Sequence, residues 1–527
     1  MQSIRQKSSP DTLHHFTSYI PVVISLYAIT KQGVIFMPSL TKSPNDTRKM
    51  YIVLTASLCL TFLIGSLPPV GEITEIGMKI VGIFLGCILA WLFGYLGWGS
   101  LMGLLLLALY VPENTVNSVF SSAYGNTMFL MIFFCLIFCY GLQKMGLLPF
   151  LANFLLSRKF ATKSPWTLAI TFWLTIIICA GLTSNTLAVT VFLYSVFFEV
   201  ADKIGIKRRS TYCASVLIFM CTLGALAILL MPYSASLWTT IGLTQVIDPS
   251  LTPDIPKILL TGWVLIFSSF IIIAVLFKIL LKTNIIKVEF SLDNLENIID
   301  YEALKVTKQV KLGFFYIAIL LVIMIGPSVL PAESTFVIFL NKFGMLGAFA
   351  FIDLLMCLTT ADGKLTLTLE EAMIKGIPWG VYFMISTAYL VASLVVAENT
   401  GVTATLLPII SSIIPTNNIY LTVLVFLGII LILTNCITNF VAMQLTIPII
   451  AVILLQMGVN PLIFAGLIGT LADHGNVMPS GSPIGAYMHG ISEWHTGAQV
   501  YLWASIGSIC AYLATALIAL PFTLFIF

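Results

Sequence analysis

Apolar segments that approach or reach the roughly 20 residues needed to cross a hydrocarbon core of about 30 Å recur along this 527-residue chain, most clearly at 51–67, 81–96, 128–142, 259–281 and 504–527. With 59% hydrophobic and 9% charged residues, and a mean hydropathy of +1.04, there is too little polar surface to coat soluble domains of this size. Lipid must therefore be the solvent. A chain in lipid has to satisfy its backbone N–H and C=O groups internally, which points to an all-α polytopic membrane protein. The net charge of +3 carries little information about partners, and nothing suggests nucleic-acid binding. The ten cysteines are scattered through apolar runs without a Cys-x-x-Cys pair and read as small buried hydrophobes. No cleavable secretory signal is expected, and the stretch 16–30, interrupted by Pro21, is too short to span.

The positive charges give the topology. Lys and Arg collect in cytoplasmic loops, so each basic cluster marks the inside. The clusters are Lys42/Arg48/Lys49, Arg158/Lys159/Lys163, Lys203/Lys207/Arg208/Arg209, Lys278/Lys282/Lys287 with Lys305/Lys308/Lys311, and Lys364/Lys375, with no Lys or Arg after Lys375. Four crossings (51–69, 79–95, 97–112, 127–143) fit between the first two clusters. The apolar stretch 165–201 begins and ends beside basic clusters and is interrupted by Thr183-Ser184-Asn185-Thr186, so it must enter and turn back as a re-entrant hairpin. Spans at 211–247 and 258–281 lead to a cytoplasmic loop at 283–312. Further spans are expected at 313–330, 335–357 and 377–397, then a second hairpin at 418–457, opening from outside, and spans at 461–492 and 500–526. The expected protein has a cytoplasmic N-terminal segment 1–50, a first half 51–282 and an inverted second half 313–527. It comprises about eleven crossings and two hairpins in a cell inner membrane, with an external C-terminus.

Both halves carry the same unusual sequence of events. A polar tip (Thr183-Ser184-Asn185-Thr186; Ile437-Thr438-Asn439-Phe440) is followed by a span broken at Met231-Pro232-Tyr233-Ser234-Ala235-Ser236 in one half and Met478-Pro479-Ser480-Gly481-Ser482-Pro483 in the other. Helices that stop in mid-membrane leave N–H groups unpaired at their starts, suited to an anion, and carbonyls unpaired at their ends, suited to Na⁺. Inverted repeats with such breaks are the architecture of an alternating-access carrier.

At these tips the sequence resembles the divalent anion/sodium symporter family, within the ion transporter superfamily. That family carries Ser-Asn-Thr at both tips and a Gly-Thr-Pro-type turn in each broken span. Ser184-Asn185-Thr186 matches in full and Thr438-Asn439 with a Ser-to-Thr change, while 478–483 looks like the second turn. The segment 367–380, ending in Ile377-Pro378-Trp379-Gly380, looks like the family's lead-in to the span before the second hairpin. The resemblance runs from about Gly125 to the C-terminus. It implies a coupling Na⁺ near Ser184, Asn185 and Ser234, and another near Thr434, Ile437, Asn439 and Gly481. It further implies an anion contacted by Ser184, Asn185, Thr186, Thr438, Asn439, Ser482 and Pro483, and a homodimer. Two departures stand out: Phe440 replaces the second-tip Thr, and Ser234-Ala235-Ser236 lacks the glycine and proline of the first turn.

Asp473 and His474 are ionisable groups inside a span, candidates for carrying a coupling proton or for forming a structural pair. Asp353 and Glu398 are expected to reach the interface. The sequence thus reads as a secondary transporter, a Na⁺-coupled symporter of a di- or tricarboxylate or a sulfate-like anion. The alternative is a cation/proton antiporter or Na⁺-independent anion exchanger of the same superfamily. An enzyme using Ser480 or Ser482 with His474 is disfavoured, because a hydrolase needs no inverted repeat.

Overall fold

The computed structural model describes residues 44–527 apart from 113, 157–162, 290–305, 332, 362, 406–407 and 409–416. The stretch 16–30 lies outside the described residues, as do most of 1–50 and much of 283–312. Among the described residues the fold is helical, with one small β-hairpin pairing Thr360–Ala361 with Lys364–Leu365. Eleven helices among the described residues are long and apolar enough to cross a bilayer, as a multi-pass membrane protein requires. Three of the eleven, Pro165–Thr183, Ile419–Cys436 and Asn439–Gln456, are arms of the two helical hairpins. Conversely, Leu96–Tyr110 has only 15 residues, and Trp379–Val396 is bent by 80° from Leu369–Lys375 across the Ile377-Pro378 break.

Each half presents the same order of elements. Ser164, with Pro165 behind it, caps Pro165–Thr183. That helix ends at Ser184 in the left-handed conformation (φ 47°), and Asn185 starts Thr186–Ile204 by accepting from the Ala188 N–H at 3.0 Å. A broken span follows, Thr211–Leu226 extended by a 3₁₀ turn at Ala227–Leu230, then Ala235–Gln245, and after it the long helix Ile255–Lys282. The second half repeats this. Ile419–Cys436 and Asn439–Gln456 form the hairpin, Ala465–Ala472 and Pro483–Gly490 flank the break, and Gly497–Ala514 continues through a π turn into Leu520–Ile526.

The two hairpins open onto opposite faces. Near the open end of the first, Phe198 stacks on Trp494 (4.2 Å between centroids), next to the start of the terminal helix. At the open end of the second, the Tyr420 hydroxyl donates to the Ala516 carbonyl (2.7 Å), near that helix's other end. Residues 499 and 516 are separated by about 25 Å of helix. Loop contacts agree. On one face the Thr74 hydroxyl donates to the Asn399 carbonyl (2.9 Å). On the other, Lys144 pairs with Glu371, Arg208 with Glu493, and Arg209 Nε donates to the Ser492 carbonyl (2.8 Å).

Burial ranks the helices. The first broken span is 89% buried over Thr211–Leu230, whereas Thr47–Gly65 is 22% buried, so the former is at the centre and the latter at the lipid-facing rim. One sequence expectation fails. Asp353 does not reach the interface; it is 3% exposed, because its helix turns that face toward Thr127–Lys144. Glu398 is exposed, as expected.

Candidate functional site

The second tip and second break interlock. Thr434, in the last turn of Ile419–Cys436, directs its hydroxyl to Asn439 Oδ1 (2.9 Å) and to the Ala472 carbonyl. Asn439 opens the next arm and donates to the Asp473 carbonyl (3.3 Å) and carboxylate (3.2 Å). Asn435 Oδ1 accepts from the Val477 N–H (2.9 Å), and Ser480 donates to the Cys436 carbonyl (3.0 Å). The Ser482 hydroxyl donates to Asn476 Oδ1 (3.1 Å) while accepting from the Gly485 N–H, so it caps Pro483–Gly490. Ile437 joins the arms in extended conformation and Thr438 is the N-cap of the second, without a side-chain cap bond.

Two glycines reveal what this interlocking encloses. A Cβ on Gly475 would lie 2.3 Å from the Thr434 carbonyl, 2.6 Å from Asn439 Oδ1 and 3.0 Å from the Gly481 carbonyl. A Cβ on Gly481 would lie 2.7 Å from the Gly475 carbonyl, 2.8 Å from that of Thr434 and 3.1 Å from that of Asn435. Only glycine leaves room for this convergence of oxygens. An all-oxygen cradle at a helix C-terminal end, built from carbonyls and one amide oxygen, is the donor set that suits Na⁺. Thr434, Asn439 and Gly481 of the expected cation set therefore come together.

The first tip is looser. Thr186 donates to the Gly224 carbonyl (3.2 Å), and Tyr233 donates to the Leu182 carbonyl (3.0 Å), which holds tip against break. The hydroxyls of Ser184 and Ser234 are buried with no hydrogen-bond partner, and so is that of Thr438 at the other tip. Buried hydroxyls are normally paired, so these three, set at the tips and breaks, are polar groups suited to a ligand, although unpaired hydroxyls also occur elsewhere, at Thr190 and Thr222 among others. Ser234 begins Ala235–Gln245 without capping it, as Thr438 does for Asn439–Gln456, whereas Asn185 and Ser482 are spent on their own helices. The two helix starts free of their own caps are the ones positioned to offer N–H groups to an anion.

The halves meet around Thr211–Gln245. Thr186 binds the Gly224 carbonyl, and Asn476 Nδ2 donates to the Cys221 carbonyl (3.4 Å) one turn away. Ser236, from the first break, lies beside the Asp473 carboxylate that accepts from Asn439. Asp473 and His474 do not pair with each other, because His474 Nε2 bonds Ser508 (3.0 Å) on the terminal helix. That leaves Ser480 and Ser482 bonded elsewhere, with no base on either.

These features assign the class once set beside known proteins. The citrate transporter family model matches residues 47–469. The chain belongs to the citrate transporter family. It is accordingly a secondary transporter and not an enzyme. A solved structure, that of the Alcanivorax borkumensis YdaH transporter, described as having an unusual topology, aligns at 13% identity and a TM-score of 0.49 over 92% of this chain and 98% of that one. A search of curated proteins finds no match. For this citrate-transporter-family member, sequence reasoning missed Gly475, Asn435, Asn476 and Ser236. The repeated Asn at 435 and 439 was the one local signal available, since the cradle exists only after the break folds back on the tip.

Proposed function

We propose that this protein is a Na⁺-coupled symporter of a small di- or tricarboxylate, with citrate the first candidate, working by alternating access. The observation that carries the reading is the oxygen cradle of Thr434, Asn435, Asn439, Gly475 and Gly481, set beside helix starts whose Thr438 and Ser234 hydroxyls are unpaired. Na⁺ would be held by that cradle, and a second Na⁺ by Ser184 and Ser234; bound there, it supplies positive charge that offsets the anion. The chain's own residues orient the anion, with Thr438 and the N–H groups behind it facing one carboxylate and the first tip another. Phe440 stands where the resembling family has a hydroxyl donor, which disfavours a simple four-carbon diacid. The hairpins and broken spans move against the remaining helices. A homodimer through the peripheral helices completes the reading, and the narrower kinship with divalent anion/sodium symporters rests on the tip motifs.

The test is uptake of labelled citrate, succinate, sulfate and a monocarboxylate into proteoliposomes under an inward Na⁺ gradient, a proton gradient, or neither. Na⁺-driven citrate uptake supports the proposal; uptake of none of the four under any gradient refutes it. One observation favours a second reading, an antiporter or Na⁺-independent exchanger. Buried Asp473 bonds the same Asn439 that lines the cradle, so a proton could occupy the coupling role there. Proton-driven uptake without a Na⁺ requirement selects that reading.

A further inference from the structure

A second buried carboxyl lies away from the tips. Asp353 is 3% exposed, and neither carboxyl oxygen has a hydrogen-bond partner. It lies five residues before the end of Thr335–Leu358, about 7 Å of helix from the Lys-rich face. Its helix packs on Thr127–Lys144, with Phe349 against Phe138 (6.3 Å) and Met356 against Gly141. The titratable groups facing Asp353 are Cys135 and Cys139 of Thr127–Lys144, and Cys357 on its own helix. Helix Lys308–Val329, a second neighbour, carries Lys308 and Lys311 at its start and buried Tyr316, whose hydroxyl is itself unpartnered, and the strand Lys364–Leu365, a third, carries the exposed Lys364. Among the described residues no basic side chain pairs with the carboxyl.

An ionised carboxylate without a counter-ion or donor is costly at this depth, so the group must be neutralised. A metal does not fit, since no group of three metal-ligating side chains exists among the described residues. A proton does. What the proton controls is visible next door. The thiols of Cys135 and Cys139 both donate to the Tyr233 carbonyl, at 2.9 and 3.5 Å, inside the first break and one residue from Ser234. An ionised Asp353 would be a far stronger acceptor than that carbonyl and would compete for the Cys139 thiol, leaving the break held by Cys135 alone.

We infer that Asp353 is a proton-binding site, separate from the tips, whose occupancy sets the conformation of the first break through Cys139, Cys135 and Tyr233. The step is simple: the Asp353 O–H bond breaks, the proton passes to water at the Lys-rich face, and the reverse transfer restores the thiol contacts to Tyr233. The inference does not depend on which anion is carried.

The experiment uses the full-length protein in proteoliposomes and has two arms. A hydrophobic carbodiimide takes the proton of a carboxyl in apolar surroundings on its nitrogen and is added to at carbon by the carboxyl oxygen, so mass spectrometry should find Asp353 modified at acid pH. Modification should fall by at least about tenfold as the pH is raised. Absent or pH-independent modification overturns the inference, and this arm needs neither a variant nor transport. In the second arm, Asp353→Asn should still take up labelled citrate down its gradient, but without the wild type's response to an imposed pH difference. An unchanged response in Asp353→Asn overturns the inference. If wild type carries no citrate, the proposed substrate fails while the carbodiimide arm still decides the proton site.

Discussion

The two tip-and-break pairs share a sequence order but not a state of assembly. At the second, Thr434, Asn435, Asn439 and the carbonyls of Gly475 and Gly481 are already drawn together and cross-bonded. At the first, Thr186 and Tyr233 fasten the tip to its neighbours, while the Ser184 and Ser234 hydroxyls are unpaired. A duplicated architecture has thus been specialised. On the proposed function, one copy would hold an ion in its oxygen framework, and the other would respond when a ligand supplies the missing partners, as would Thr438 at the second tip. Preorganised donors bind with little ordering cost, whereas unpaired ones gain most on occupation.

The comparison breaks most readily at Gly475. A methyl group there collides with three cradle oxygens, so Gly475→Ala should cut Na⁺-driven uptake by more than about a hundredfold. If instead uptake persists with an unchanged Na⁺ dependence, the cradle holds no coupling ion. Next comes the asparagine pair. Asn439 joins Thr434 to Asp473, while the Asn185 side chain serves its own helix. Asn439→Ala, stranding buried partners, should lower uptake by about ten- to a hundredfold. Asn185→Ala should mainly lower stability by about 1 kcal/mol, measured by thermal unfolding. Equal transport defects in the two variants would show that the sites are alike after all.

Ser184 sharpens the contrast further. Its left-handed backbone is unfavourable for a residue with a Cβ, and its hydroxyl has no partner to lose. Ser184→Gly should therefore leave the melting temperature equal or higher, by a gain of up to about 1 kcal/mol, while weakening apparent substrate affinity about tenfold. A loss of stability with normal affinity would assign Ser184 to the scaffold. The smallest effect concerns the Lys-rich face, which should matter to neither site. There Lys144, with Lys375 and Tyr140, holds the Glu371 carboxyl down to about 2. A depressed carboxyl contributes stability above its unfolded value and loses it as pH falls through the folded one. Glu371→Gln should accordingly flatten the melting-temperature decline between about pH 4.5 and 2, discounted because the pair is partly exposed, with uptake at neutral pH unchanged.

Much of this was legible before the fold was known. Hydropathy gave the helices, and the polar interruptions at 183–186 and 437–440, with Pro232 and Pro479, marked the tips and breaks. What stayed hidden depends on which face of a helix meets protein and which meets lipid, a distinction that hydropathy along the chain does not carry. Asp353 looked like an interfacial residue because of its distance from the helix end. Gly475 looked like a spacer because nothing in the sequence says that the Thr434 carbonyl will lie against it. The hairpin arms pass any length test for a span. Only the placement of positive charge argued otherwise, and the open ends of the two hairpins meet the terminal helix at Trp494 and at Ala516.

The chain after Lys375 contains no Lys or Arg, yet its loop at 491–496 lies on the Lys-rich face. There Arg208 pairs with Glu493 and lies over Trp494 (4.6 Å), and the Arg209 N–H donates to the Trp494 carbonyl (3.0 Å). The positive charge beside the last two crossings thus belongs to a loop nearly three hundred residues earlier in the chain. During biogenesis the chain after Lys375 would be delivered without positive charge of its own and would take its direction by docking onto the first half, so the order of synthesis would itself be part of how the molecule acquires its topology.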